Sequence, residues 1–239
     1  MKFPDPLIRG RLIRRYKRFL ADVELEDGAK AGEVVTAHCA NPGSMLSVNE
    51  PGSEVWLSPA HNPERKLKFT WELIRVGGSL VGINTQLPNA IVAEAVEAGK
   101  FPELRGYPSL RREVKYGENS RIDLLLENDG DKCYVEVKNV TMKRDLAKDA
   151  PAEFPDAVTA RGAKHLVELA TMVGLGHRAV MFYLVQRQDA KTFAIAQDID
   201  PVYAKGLAVA RKAGVEVLCY GCKLSKSEIR IDSPLPLAF

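Results

Sequence analysis

Three ionisable residues stand inside two apolar runs. In RIDLLLENDGDKCYVEVKNV, residues 121–140, Asp123 interrupts the first run, and Glu136 with Lys138 interrupts the second. Runs this rich in Val, Leu and Ile suit a sheet buried on at least one face. Charged groups are costly there unless paired, hydrogen-bonded or bound to a metal. Side chains alternate along a strand, so Glu136 and Lys138 project from the same face. Whether Asp123 reaches that face from the partner strand depends on register. Two carboxylates converging away from water raise each other's pKa unless a cation intervenes. A hard cation such as Mg²⁺ takes oxygen ligands, commonly one or two carboxylates with phosphates and water. A lysine beside it orients or deprotonates a water, and the set suits metal-assisted phosphodiester hydrolysis. The competing reading is a solvated Glu–Lys pair, which is worth little. The apolar residues up to and between the charges of YVEVKN set this pair apart from an ordinary wet face.

The elements around the trio can be read from turn and cap signals. NDGD joins the two runs as a hairpin, because Asp-Gly suits a tight primed turn. REVKY is a third strand candidate. Before it, NAIVAEAVEA reads as a helix with Pro88 in its first turn and Gly99 closing it. After the hairpin, TARGAKHLVELATMVGLG reads as a helix that Thr159 is placed to cap. RAVMFYLVQR reads as a strand with KTFAIAQ as its partner. DIDPVYAKGLAVARKAG is a helix with Asp200 as N-cap and Gly214 past its end. VEVLCY and EIRI are late strands. This order gives an α/β domain with a mixed sheet from about residue 84 to 239. Residues 1–83 instead hold six short β-branched or aromatic runs separated by Gly, Pro and Asn turns, the pattern of a small barrel or sandwich.

Of the 239 residues, 46% are hydrophobic and 27% charged, the mix of a globular chain and not of a disordered one. No apolar run approaches bilayer length, so no membrane role is expected. The first residues lack a continuous apolar stretch before a cleavage site, and four cysteines at irregular spacing do not form a disulfide framework. A cytoplasmic protein is expected. Cys219 and Cys222, in CYGC, are read as ordinary thiols.

Charge is concentrated at one end. Residues 1–20 carry seven Lys or Arg against one Asp, a net +6 in a chain whose total is +3. Arg9, Arg11, Arg14, Arg15, Lys17 and Arg18 are interleaved with Tyr16 and Phe19. On a barrel, cations follow a nucleic-acid backbone while aromatics stack on bases; the alternative is a charged edge strand guarded against aggregation. Arg161, Lys164 and His165 fall on one helical face near an N-terminus. Cations there oppose the macrodipole, so either a phosphate holds them or the face is simply solvated. In HCANPGSM, Pro42 and Gly43 suit the centre of a type II turn, with Asn41, Ser44 and His38 available to phosphate oxygens.

The segments HCANPGSM, RIDLLLENDGDKCYVEVKNV and FPDAVTARGAKHLVEL, in that order, resemble the sugar fermentation stimulation protein A family over essentially the whole chain. The resemblance implies an N-terminal OB-like β-barrel over 1–83 and a nuclease-like α/β domain of the PD-(D/E)XK type over 84–239. It also implies DNA binding, duplex or single-stranded, largely without sequence readout. Carried onto this sequence, Asp123 and Glu136 would be metal ligands and Lys138 the catalytic lysine, with the Val137 carbonyl as a further ligand and Mg²⁺ or Mn²⁺ as the metal. The "PD" dipeptide is absent, since Ile122 precedes Asp123. Nuclease folds of this type take a further acid from the preceding helix, which nominates Glu94; Glu113 and Gln186 lie on strands where they could support the carboxylates. Two versions follow from the resemblance: a Mg-dependent endonuclease, or a catalytically silent DNA-binding regulator linked to sugar (maltose) metabolism.

Overall fold

In the first third, short β-branched and aromatic runs have each become a strand, because turn residues end them before they can pair in any longer register. The computed structural model describes residues 1–117 and 120–239. Strands β1 (Ile8–Tyr16), β2 (Leu20–Leu25), β3 (Val34–His38), β4 (Glu54–Pro59), β5 (Phe69–Val76) and β6 (Ser79–Gly82) form one sheet in the order β3-β2-β1-β4-β5-β6. A bridge between His38 and Thr70 joins β3 to β5, so β1–β5 close into the five-stranded barrel of an OB domain. Its interior holds Leu12, Val23, Leu57, Trp71 and Ile74. Gly10 lets β1 and β2 cross closely: a Cβ there would lie 2.5 Å from Val23 Cγ1 and 2.6 Å from the Glu24 carbonyl oxygen.

The rest is the expected mixed-sheet α/β domain. It contains α1 (Pro88–Glu97), β7 (Ser109–Tyr116), β8 (Ser120–Asn128), β9 (Asp131–Val140), β10 (Ala152–Phe154), α2 (Ala160–Gly174), β11 (Arg178–Val185), β12 (Phe193–Ile195), α3 (Pro201–Lys212), β13 (Glu216–Leu224) and β14 (Ile229–Pro234). Its main sheet runs β14-β13-β11-β9-β8-β7, with β9, β11 and β13 parallel and the outer strands antiparallel. Val135 and Val137 of β9 pack with Ile91 and Val92 of α1 and with Trp56 and Leu73 of the barrel. Tyr134 and Val140 of the same strand pack with Leu166 and Leu169 of α2. By the alternation of side chains, Glu136 and Lys138 therefore belong to the α2 side. No helix of the described residues is long and apolar enough to cross a membrane.

The hairpin between β8 and β9 turns at Asp129 and Gly130, both at positive φ (45° and 98°), as a primed turn requires. KTFAIAQ does not pair with RAVMFYLV. Both edges of β11 are taken, by β9 and β13, so β12 pairs instead with β10 in a separate two-stranded parallel sheet. The first residues run between the two domains: Met1 N donates to the Ile229 carbonyl (2.9 Å) and Phe3 N to that of Ser227 (2.9 Å) in the α/β domain, while the Asp5 carboxylate lies 2.8 Å from His61 Nε2 of the barrel.

Candidate functional site

β9 brings Glu136 and Lys138 to one side of the sheet, and the opening between β8 and β9 brings in Asp123. The two strands pair from the turn as far as Leu124 and Val135. Beyond that, the Val137 N–H turns to a carboxylate and donates to Asp123 Oδ2 (2.7 Å). Asp123 Oδ1 accepts from Asn89 Nδ2 on the first turn of α1 (2.7 Å), and the same amide reaches Glu113 Oε1 (3.3 Å). Glu113, opposite Asp123 on β7, has φ +54°, a conformation that is uncommon for a residue with a side chain and tends to gather at functional sites.

Glu136 is only 2% exposed. Its Oε1 receives Lys138 Nζ (2.7 Å) and the Nδ1 of His165 from α2. Arg161 Nε donates to His165 Nε2 (3.4 Å), which leaves the Nδ1 hydrogen for Glu136. Glu136 Oε2 is buried with no hydrogen-bond partner. Burial, and then repulsion from Glu136, push Asp123 up to about 6 against the pull of Val137 N–H, Lys138 and Asn89. Burial also pushes Glu136 upward, but the His165 hydrogen bond and Lys138 more than offset it and hold Glu136 below the usual carboxylate range. An orphaned, charged oxygen beside a second strained carboxylate fits a hard cation with oxygen ligands.

The N-terminus of α2 is fixed from two sides. Thr159 Oγ1 accepts from Gly162 N (3.1 Å), while Asp200 accepts from Thr159 N (2.8 Å) and from Tyr203 N at the start of α3 (2.9 Å). Gly162 is required by this packing, since a Cβ would lie 2.8 Å from Thr159 Cγ2. Locked in this way, α2 presents Arg161 and His165 to the cleft one turn apart.

The barrel supplies the opposite wall. Asn41, Pro42 and Gly43 line the same cleft of about 360 Å³ as Asp123, Glu136, Lys138, Arg161 and His165. Asn41 is buried and spent on backbone: its Nδ2 donates to the Ile83 carbonyl (3.0 Å) and its Oδ1 accepts from Gly43 N (3.0 Å). Ser44 Oγ donates to the Asp156 carbonyl (2.6 Å), and Met45 N donates to Asp156 Oδ2 (2.9 Å). The type II turn does not form, because Gly43 is not among the positive-φ residues. Glycine is needed there because a Cβ would lie 2.7 Å from Asp156 Oδ2.

Several expected residues lie elsewhere. Glu94 is 62% exposed and pairs with the Met1 amine (3.0 Å), a turn or more along α1 from the residue that does touch the site, Asn89. Gln186 is wholly buried where β6 meets β11; its Nε2 donates to Asn139 Oδ1 (2.7 Å) and its backbone oxygen accepts from Gly82 N (2.9 Å). Glu113 is exposed and reaches the site only through Asn89. Lys164 faces solvent and pairs with Glu168 (3.5 Å), whereas His165 is buried against Glu136 and does not share that solvated face.

The basic strand is not a uniform cationic face. Arg9 pairs with Glu26, Asp27 and Glu54, Arg11 with Glu26, and Arg14 with Asp22. Tyr16 donates its hydroxyl to Asp22 (3.1 Å). Arg15 donates to the carbonyls of Asn41, Gly43 and Ser44, and Arg18 to that of Pro42, so both brace the cleft wall without meeting a carboxylate. The Lys17 carbonyl accepts from Phe19 N (2.8 Å), but its side chain has no hydrogen bond or ion pair among the described residues.

Two family models match the chain: the SfsA N-terminal OB domain over residues 13–83, and the sugar fermentation stimulation protein RE domain over residues 86–228. Similar curated proteins include sugar fermentation stimulation protein homologs from Rhodospirillum rubrum, 61% identical over 99% of each chain, and from Geobacter metallireducens, 53% identical over 99% of each. A solved structure, described as Pyrococcus furiosus SfsA in complex with Ca²⁺, is 26% identical, covers 100% of this chain and 98% of its own, and superposes with a TM-score of 0.87.

Proposed function

The chain belongs to the sugar fermentation stimulation protein family, and we propose that it is a DNA-binding phosphodiesterase whose α/β domain, of the PD-(D/E)XK nuclease type, uses Mg²⁺ or Mn²⁺ held by Asp123 and Glu136. The observation that carries this reading is Glu136 Oε2, a buried carboxylate oxygen with no partner, next to a second carboxyl pushed up to about 6. The buried pair of Arg187 with Asp189, by contrast, spends both carboxylate oxygens (2.6 and 2.8 Å). The relative from Pyrococcus furiosus is described with Ca²⁺, a hard cation of the same oxygen-seeking class.

Bound between Asp123 and Glu136, such a cation would polarise the phosphoryl group and help ionise a water. The chain's own groups do the rest. His165 and Lys138 hold Glu136 by Oε1, which leaves Oε2 for the metal. Val137 N–H and Asn89 fix both oxygens of Asp123. The Lys138 ammonium is in place to orient the attacking water and to offset charge developing on phosphate. Arg161 at the cleft wall, with Lys164, Arg15, Lys17 and Arg18 around it, would hold backbone phosphates, contacts that carry no sequence information.

The test is cleavage of supercoiled, linear and branched DNA with Mg²⁺ or Mn²⁺. Wild type should cut in a metal-dependent way, and Asp123→Ala and Lys138→Ala should each lose at least about a hundredfold in rate. Metal-independent cutting, or cutting that survives both substitutions, overturns the assignment of these residues.

A further inference from the structure

Resting on that reading of the site, we propose that it takes an unpaired nucleic-acid strand, delivered over the tip of the β1–β2 hairpin with Phe19 as the base-stacking platform. The first argument is access. Glu136 is 2% exposed and the Lys138 side chain 15%, at the bottom of a cleft of about 360 Å³. Its walls come from four places: Asn41–Gly43 of the barrel, Pro88 and Asn89 of α1, Glu153 and Phe154 of β10, and Arg161 of α2. The barrel wall is clasped to Asp156 and cannot swing away without breaking those bonds. A duplex is stiff over this length, so its second strand would meet these walls before a phosphate reached Lys138. A single strand can bend its backbone into the recess.

The second argument is which cations remain free of carboxylates. Arg9, Arg11 and Arg14 are neutralised along β1, whereas Arg15, Lys17 and Arg18 at the tip are not. Lys17 and Arg18 both hold positive φ (48° and 63°), a costly conformation for consecutive residues with side chains. Arg18 binds the Pro42 carbonyl (2.7 Å), so the tip rests against the rim of the cleft. Of the two aromatics in this segment, Tyr16 is committed, under Arg14 and bonded to Asp22. Phe19 is 47% exposed, with the Arg18 guanidinium 5.9 Å from its ring centre. Cations along a backbone path beside an open aromatic face are how sequence-tolerant single-strand binding is built.

Binding is read by fluorescence anisotropy of a labelled oligothymidylate and of a blunt hairpin duplex of equal length, using the full chain with Asp123→Asn to prevent cutting. The single strand should bind at least about tenfold more tightly. Phe19→Ala should weaken it by about tenfold, Phe19→Trp should restore it, and neither should move the melting temperature by more than a degree or two. Equal affinity for the duplex, or single-strand binding indifferent to Phe19→Ala, overturns the inference even where metal-dependent cutting is intact. A Phe19-dependent preference for the single strand upholds it even where the separate cleavage assay removes the hydrolytic reading.

Discussion

His165 on α2 and Glu136 on β9 are hydrogen-bonded to each other while 3% and 2% exposed, so a helix otherwise packed by Leu166 and Leu169 also holds the central carboxylate of the cleft. Replacing His165 with Ala leaves Glu136 Oε1 with Lys138 alone. A buried charged acceptor that loses one of two partners costs roughly 1–3 kcal/mol. Urea denaturation of His165→Ala should show a stability loss of that size, read as a lower midpoint at an unchanged m-value. A variant as stable as wild type would mean that the contact is incidental.

Asp123 gives the metal-free protein a pH signature. Its folded carboxyl lies at about 6 against a reference of 3.8, so the unfolded chain releases this proton first. Below the reference value both states are protonated and no penalty exists. The penalty grows as pH rises through that window and is complete above about 6. In EDTA, Asp123→Asn should therefore be more stable than wild type at pH 8 by on the order of 1–3 kcal/mol. The gain should shrink to nothing between pH 6 and pH 4, the window set by the two values. A constant difference across that range would exclude the raised carboxyl.

A divalent cation should reverse that order. Ligand bound only to the folded state stabilises by about 2.7 kcal/mol at a hundred times Kd. Titration of Mg²⁺ or Mn²⁺ should raise the melting temperature of wild type with saturation, and should leave Asp123→Ala unmoved. Parallel rises in the two proteins would place the metal elsewhere.

Why some of this could be read in the sequence and some could not follows from particular residues. The Asp129-Gly130 turn, the Thr159 and Asp200 caps and the Gly99 and Gly214 stops are local, because each is set by a neighbour within a few residues. Glu136 and Lys138 share a side for the same reason. The choice between barrel and sandwich rests on a single long-range bridge, His38 to Thr70, which no local signal encodes. The neutralisation of Arg11 by Glu26 and of Arg14 by Asp22 depends on the antiparallel register that sets Arg11 opposite Glu24, two residues before Glu26, and Arg14 opposite Asp22. Counting along α2 groups His165 with Arg161 and Lys164, but the edge that β9 covers is decided by the sheet. Asn89, at the start of NAIVAEAVEA, carries no local signal of its role, because only the opening between β8 and β9 gives it Asp123 to bind.

Asn89 and Glu94 separate two roles for α1. Asn89→Ala removes a donor to the ionised Asp123, so its carboxyl should rise further and metal affinity should fall by about tenfold, close to one charge-assisted hydrogen bond. Glu94→Gln loses only an exposed pair with the terminal amine, whose worth is within about 1 kcal/mol. Calorimetric metal titrations of both variants decide it, and a Glu94→Gln defect as large as that of Asn89→Ala would return Glu94 to the site.

Asp156 clasps the two domains over the cleft, through Met45 N (2.9 Å) and Ser44 Oγ (2.6 Å to its carbonyl, 3.2 Å to Oδ2). The carbonyl contact survives substitution, but the carboxylate contact to Met45 does not. Asp156→Ala should therefore unlock the 41–45 loop while leaving the three hydrophobic cores intact, at a cost of about 1–2 kcal/mol. The change should be local: hydrogen exchange of the Met45 amide should speed up by at least about tenfold, while amides in β9 and β11 keep their protection. If the loop walls the cleft against duplex, the same variant should also bind blunt duplex more tightly relative to single strand than wild type does. Unchanged Met45 exchange would show that Arg15, which holds the carbonyls of Asn41, Gly43 and Ser44 from the barrel side, keeps the wall in place by itself.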